Sequence, residues 1–509
     1  MEDFIFGTVK LFADPVGILI FVTGLIGGLV FGAIPGLSML TLAAIILPFT
    51  AWMAPEHAIM LFGVIYCAGV YGGAVTAILF NIPGSVENAP TAFDGYPMTR
   101  KGQAGKAIGY AMTCSAIGGT LSAVAMMAAT ASVAKFAIRN FGPPEIFALI
   151  FFALTVVTGI GTRSLAKGWL SVLAGVFIGT IGADPMGGIP RYTFGTLYLL
   201  AGVGFVPLIL GFFAITEVFV QSQKIAVGTY EASRVSVAYP SLKEFWRMRI
   251  AVARSAGIGF FAGVLPGVGA TLAAFLSYNE AVRWSKHPER FGKGEPEGVV
   301  AAETANNSAT CAAMIPLLAL GLPGGALTAI MISAFNMHDM DVGPLLMAEA
   351  HDLVWVLFAS MFWASLAILM LGIVEVKVIV HLLRVPFNVL GPAIVIFCTI
   401  GAYALRGSIV DVYGMFGAGL IGYFMRRSDY SIPALVLGVI LGQLGDRNFS
   451  VAMVMLDYDP FAFFQLDRPI SGIFIGIGLI TIAWQFLRHW RLYAAAFGRL
   501  VTELRGQSD

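Results

Sequence analysis

Charge is what this chain has least of. Only 12% of its 509 residues are Asp, Glu, Lys or Arg, against a hydrophobic share of 58%, and the mean hydropathy is +0.85. Soluble domains carry about 25% charged residues, so a globule of this length would have too little polar surface to face water. A net charge of +1 excludes the broad positive field of a nucleic-acid binder. Cysteine is scarce too. Cys67, Cys114, Cys311 and Cys398 all lie in apolar runs without Cys-x-x-Cys spacing, which excludes a disulfide framework or a cysteine-built zinc site. The chain has no Gly-x-x-x-x-Gly-Lys-Ser/Thr loop and no His-Glu-x-x-His, so ATP hydrolysis and zinc-protease chemistry are not expected, and no cofactor is. The glycine-bearing HPERFGKGEPEG (287–298) lacks the phosphate-loop spacing. The opening MEDFIFGTVKLFAD lacks the positive start of a cleavable signal and reads as a short interfacial helix.

Long apolar runs fill the chain instead. PVGILIFVTGLIGGLVFGAI (15–34) and LVWVLFASMFWASLAILMLGI (353–373) are typical, and about 20 such residues cross a bilayer core as a helix. The fold expected is an all-α polytopic membrane protein with about a dozen to fourteen membrane-embedded segments. It divides into a first half (1–220), a cytoplasmic linker (221–249), a second half (250–425), and C-terminal segments with a basic cytoplasmic tail (426–509), which carries Arg488, Arg491, Arg499 and Arg505.

The halves repeat one another. GAIPGLSMLT (32–41) aligns with GVLPGVGATL (263–272), and LFNIPGS (79–85) aligns with LALGLPGG (318–325). The prolines lie 48 residues apart in the first half and 57 in the second. Loop charge relates the halves by inversion, because cytoplasmic loops are rich in Lys and Arg. Between its two Pro-Gly motifs the first half has FTAWMAPEHA, without a base, where the second has Arg283, Lys286, Arg290 and Lys293. After the second motif the bias reverses: MTRKGQAGK in the first half faces FNMHDMDVGP (335–344) in the second. Inverted repeats with Pro-Gly-broken, discontinuous or re-entrant helices are the usual plan of secondary transporters. Irregular backbone at membrane depth survives only where protein or a water-filled cavity surrounds it. The plainer alternative is that the motifs only kink and pack helices.

These motifs, with NIPGSVENAPTAFDGYPMTRKGQAGKAIG, GVLPGVGATLAAFLSYNEA, SKHPERFGKGEPEGVVAAETANNSATCAAMIPLLALGLPGG and DVYGMFGAGLIGYFMRRSDY, resemble the large membrane subunit of the tripartite tricarboxylate transporters along nearly the whole chain. The resemblance implies a multi-pass protein of the bacterial inner membrane. It implies uptake of tricarboxylate- or dicarboxylate-like acids without ATP, driven by a Na⁺ or H⁺ gradient, by alternating access of an elevator type. It also implies two partners, a small membrane subunit and a periplasmic solute-binding protein. A channel-like or scaffolding membrane protein is the rival from another class.

A carboxylate that must also leave calls for N–H and hydroxyl donors more than a fixed cation. Around the second Pro-Gly of each half these are expected from Asn81, Pro83, Gly84 and Ser85, and from Pro323, Gly324, Gly325 and Thr328, with bare N–H groups of the Pro-Gly turns aimed at the substrate. ETANNS adds Glu303, Asn306, Asn307 and Ser308 in an otherwise apolar segment, where polar side chains mark function by default or act as interhelical glue. Na⁺ is preferred as coupling ion because Gly36, Ser38, Gly267, Thr271 and Asn307, with Asn81, offer neutral oxygens. H⁺ coupling would instead use Glu87, Glu303 or Asp411, although Asp411 also reads as an interfacial helix cap. His338 reads as a solvated loop residue.

Overall fold

The computed structural model describes residues 2–34, 37–158, 164–223, 237–267, 269–382, 387–465 and 468–506, with side chains described except at 373–387 and 488–506. Among the described residues, seven helices are long and apolar enough to cross a membrane, and four more apolar helices are shorter. Helix α1 (Glu2–Ala13) is the expected N-terminal helix. Asp14 then caps α2 (Pro15–Ala33), its carboxylate accepting from the Val16 N–H at 2.9 Å, with Pro15 at the first helical position. After the first Pro-Gly the chain re-enters a helix at α3 (Met39–Ile46), capped by the Ser38 hydroxyl, which accepts from the Thr41 N–H at 3.3 Å. Next come α4 (Pro55–Phe80), the second break, and α5 (Ala89–Arg100). Helix α4 is apolar all round, and the most apolar stretch of it is wholly buried, as such a helix must be. The half continues with α6 (Ala104–Asn140), α7 (Pro143–Val157) and α8 (Leu165–Gly179).

A two-residue antiparallel pair, β1 (Gly182–Ala183) with β2 (Pro190–Arg191), leads to the short α9 (Leu197–Leu200). One apolar segment then runs through α10 (Phe205–Ile209), a π turn over 210–215, and α11 (Thr216–Ser222). The second half begins at α12 (Leu242–Val264), whose first turns take up residues 242–249 of the expected linker; 224–236 of that linker lie outside the described residues. The Pro-Gly break at 265–267 follows α12 and precedes α13 (Gly269–Trp284). Then come α14 (Pro296–Ala312), α15 (Met314–Leu320), the last break, and α16 (Ala326–Met337). The chain closes with α17 (Leu346–Glu349), α18 (His351–Leu382), α19 (Phe387–Arg406), α20 (Ile409–Arg427), α21 (Ile432–Met455) and α22 (Pro469–Gly506).

All four Pro-Gly motifs therefore interrupt helices, and the halves use the same joints. Asn81 (φ 56°) and Gly321 (φ 71°) each end a helix in the left-handed conformation, two residues before the proline. The next N–H turns back in both, Ile82 to the Thr76 carbonyl and Leu322 to that of Pro316, which is the Schellman closure of a helix C-terminus. Gly28 and Gly32 let α2 lie on the α4 backbone, where a Cβ on Gly32 would stand 2.3 Å from the Gly69 carbonyl oxygen. Gly259 and Gly263 do the same for α12 on α14, with 2.5 Å from Gly263 to the Ala309 oxygen. Gly69 and Ala309 each lie fifteen residues before the glycine of their half's second Pro-Gly. Small residues at four-residue spacing allow such close crossing in membranes.

The basic loops gather at one end. Lys101 Nζ donates to the Lys293 carbonyl at 2.6 Å, the Ala238 N–H to that of Gly105 at 3.0 Å, and Lys106 Nζ to Glu244 Oε1 at 2.5 Å. The Lys106 ammonium and the Ser241 donors pull the Glu244 carboxyl down to about 2. The starts of α2 and α4 form a separate group, joined by His57 Nε2 and Asp14 Oδ2 at 2.6 Å. Helix α1 lies there against α18, with Lys10 Nζ 3.0 Å from Asp352 Oδ2. The stretch from α4 to the end of α5 runs from this second group to the first.

Candidate functional site

Each half folds its two breaks against each other. In the first, the Gly84 N–H donates to the Gly73 carbonyl at 3.2 Å, and a Cβ on Gly84 would stand 2.0 Å from the Gly32 oxygen and 2.6 Å from Gly73 Cα. In the second, the Gly267 N–H donates to the Pro323 carbonyl at 2.9 Å, with Gly267 at φ 76°. A Cβ on Gly269 would lie 3.5 Å from the Gly324 oxygen. Gly84 leaves no room for a Cβ, and Gly267 and Gly269 (φ 62°) take the left-handed backbone that favours glycine.

The halves then meet through side chains. Ser85 Oγ donates to Asn88 Oδ1 at 2.7 Å, and Asn88 Nδ2 donates to the Val70 carbonyl at 2.8 Å and to Glu303 Oε1 at 3.4 Å. Thr91 Oγ1 also reaches Glu303 Oε1, at 2.5 Å, and Ser115 Oγ reaches Oε2 at 2.9 Å. Glu303 is wholly buried, and among the described residues no cation forms a salt bridge with it. All three side-chain partners come from the first half, while Glu303 belongs to the second.

Asn306 is wholly buried, and neither its amide oxygen nor its amide nitrogen has a hydrogen-bond partner among the described residues. A buried amide left unpaired costs about 1–3 kcal/mol. At about 100° per helical residue, Asn306 lies on the side of α14 away from Thr304, whose backbone packs on Gly118 of α6. Helix α14 also packs on α13 and on the turn at 86–88. Asn306 and Tyr66 each lie eighteen residues before the glycine of their half's second Pro-Gly. The Tyr66 hydroxyl stands 3.5 Å from where a Cβ on Gly325 would be.

The structure treats the expected residues unequally. The bare N–H groups expected at Gly84 and Gly325 are not bare: Gly84 donates to Gly73, and Gly325 donates to Thr328 Oγ1 at 2.8 Å. Each break satisfies itself, as a helix terminus does when a local acceptor is available. The Ser85 and Thr328 hydroxyls are engaged, the latter also with the Gly325 carbonyl. Asn81 is exposed, Pro83 is half-buried, and Gly324 sits with its Cβ position 2.7 Å from Ala313 Cβ. Asn307 Nδ2 donates weakly to the Glu303 carbonyl at 3.3 Å, and Ser308 Oγ to that of Ala256.

Among the sodium ligands expected, Gly36 lies outside the described residues, the Ser38 hydroxyl caps α3, and Thr271 is half-buried in the first turn of α13. Glu87 is half-buried in the turn beside Asn88. Asp411 sits in the first turn of α20 and is tied to Arg406, with Nε at 2.9 Å, and to the Tyr198 hydroxyl. His338 is half-buried rather than solvated, with an enclosed Nε2 that has no partner among the described residues. The sequence reading missed Asn88, Thr91, Ser115 and Tyr66. Asn88 had a signal, since it stands where Thr328 does in the repeat; Thr91 and Ser115 had none.

A family model described as the tripartite tricarboxylate transporter TctA family matches residues 18–437. An uncharacterized 52.8 kDa protein from the TAR-I ttuC' 3' region of Agrobacterium vitis is 35% identical over 468 residues, covering 92% of this chain and 93% of that protein. A second uncharacterized protein, from the TAR-II ttuC' 3' region of the same organism, is 36% identical over 224 residues, 44% of this chain and 92% of its own. No solved structure matches.

Proposed function

The chain belongs to the tripartite tricarboxylate transporter TctA family, and from that membership we propose that it forms the membrane pathway for import of a di- or tricarboxylate. In this reading a periplasmic binding protein delivers the solute, a small membrane subunit completes the complex, and a Na⁺ or H⁺ gradient drives alternating access of an elevator type in the bacterial inner membrane. The observation that carries it is an unpaired, wholly buried amide, Asn306, on the helix of the second half whose Glu303 meets the turn that follows Gly84–Ser85. Proteins leave such a group unsatisfied where a ligand completes it. The substrate lies between Gly84–Ser85 and Gly324–Gly325, with Asn306 and Asn307 supplying the donors that the self-satisfied turns do not. For sodium, the neutral oxygens of Ser38, Gly267, Thr271 and Asn307 are the ligands of this reading.

Asn306→Leu tests it. Removing an unsatisfied amide at nearly constant volume should raise thermal stability, by about 1 kcal/mol or more, while uptake falls at least tenfold. A variant that is less stable and transports normally would make Asn306 interhelical glue.

The same reading sets the sides. The basic loops 99–106, 221–249 and 282–298 face the cytoplasm, and 51–57 with 336–344 face the periplasm. The native cysteines described are buried, so single cysteines at Gln103, Arg290 and Ala54, the first two exposed in the basic group, report cleanly. Gln103→Cys and Arg290→Cys should react with a membrane-impermeant maleimide from the same face, and Ala54→Cys from the other. Labelling of positions 103 and 290 from opposite faces would end the inverted-repeat account.

A further inference from the structure

We propose that Glu303 carries a proton through the transport cycle and that Asn88 links its protonation to the substrate turn at Gly84–Ser85. This rests on the import reading above, and holds whether or not sodium also binds at the breaks. Glu303 is wholly buried, and among the described residues its carboxyl is met only by neutral groups, Thr91 Oγ1 at 2.5 Å, Ser115 Oγ at 2.9 Å and Asn88 Nδ2 at 3.4 Å. An ionised carboxylate in apolar surroundings needs either a cation or several donors, and it neutralises readily when the donors turn away. Thr91 and Ser115 suit both states, since a hydroxyl that donates to the carboxylate can rotate to accept from the carboxylic acid.

The surrounding ionisable groups leave Glu303 to itself. Asp94 of α5 is taken by the Tyr278 hydroxyl of α13 at 2.9 Å and by the N–H groups of Gly294 and Glu295 at 2.8 Å. At the entry to α14, Glu297 faces Arg254 of α12 at 3.5 Å. Cys114 of α6, Tyr66 of α4 and Glu87 beside Asn88 are the others nearby, and none hydrogen-bonds to Glu303. Asn88 is held by Val70 and fits over Gly73, where a Cβ would stand 2.1 Å from its Oδ1. A change in what Asn88 Nδ2 meets at Glu303 is therefore passed to what its Oδ1 offers Ser85. The balance is one proton: it adds to the Glu303 carboxylate from the outer face and leaves to the inner face, with no other reactant.

The test uses proteoliposomes holding the full chain with its small membrane subunit, supplied with its binding protein. The probe is radiolabelled citrate or succinate, whichever the binding protein retains. In Glu303→Gln, a mimic of the protonated acid, uptake driven by an inward pH gradient should fall at least tenfold. Exchange of internal for external probe should persist and lose its pH dependence. A Glu303→Gln protein that follows the pH gradient as wild type does, or that loses only a sodium-driven component, would overturn the proton assignment. Thr91→Val and Ser115→Ala, which remove donors to the ionised form, should each move the pH profile of uptake to higher pH. If Glu303→Gln fails to insert, an unmoved profile in both overturns the proposal. No uptake of either probe by the wild type under any gradient would instead count against the import reading itself.

Discussion

Gly325→Leu should insert and assemble normally, yet transport at least tenfold more slowly than wild type. Gly325 has extended backbone, φ −172° and ψ −172°, which any residue can adopt. A Cβ there would meet nothing closer than Gly269 Cα and the Tyr66 hydroxyl, both at 3.5 Å, so a methyl fits at ordinary van der Waals distance. An isobutyl group does not stop there. It reaches past the Tyr66 hydroxyl and Gly269, toward the position that the import reading proposes for the substrate. Gly325→Ala is the matched control and should keep most of its activity. The pair is read by initial uptake rate per inserted protein. Wild-type rates in Gly325→Leu would move the substrate site away from this turn.

Gly84→Ala should fail earlier, at folding. Its Cβ would stand 2.0 Å from the Gly32 carbonyl oxygen and 2.6 Å from Gly73 Cα. Both obstacles are backbone, so no side chain can swing aside. Overpacking a core costs about 1–3 kcal/mol, and more when backbone must move. Here the shift would also break the Gly84–Gly73 hydrogen bond that closes the second break of the first half. The expected result is loss of monodisperse protein after detergent extraction and a lowered Tm in what remains. Normal yield and Tm would mean that the two breaks of this half do not lie against each other. Two glycines one position apart in the repeat plan thus predict different failures, one of folding and one of transport.

The sequence was most legible where backbone chemistry is local. Pro-Gly inside an apolar run ends a helix whatever surrounds it; the three described pairs lie in breaks, and α2 ends at Ala33 just before the fourth. The repeat was legible for the same reason: Asn81 and Gly321 take the same left-handed turn, and Gly32 and Gly263 seat the same crossing. Loop charge grouped the basic segments that the Lys101–Lys293 and Lys106–Glu244 contacts join. Legibility failed where a partner is distant in sequence or satisfaction is local. Glu303 and Asn306 could be picked as buried polar residues, but only the fold shows that Thr91 and Ser115, more than 180 residues away, serve one and that nothing described serves the other. The expectation of bare N–H groups failed because Thr328, three residues past Gly325, returns its hydroxyl to that N–H as a capping residue does. The paired β1 and β2 and the π turn at 210–215 had no periodic signal to betray them.

The most direct test of coupled import is accumulation of a radiolabelled carboxylate in proteoliposomes containing the complete complex, with and without an imposed Na⁺ or pH gradient. Import by this chain predicts internal probe rising above its external concentration only when a gradient and the binding protein are both present, and collapsing when an ionophore removes the gradient. Equilibration to the external concentration and no further, at a rate the gradient does not change, would contradict it and make the broken helices the lining of a passive channel.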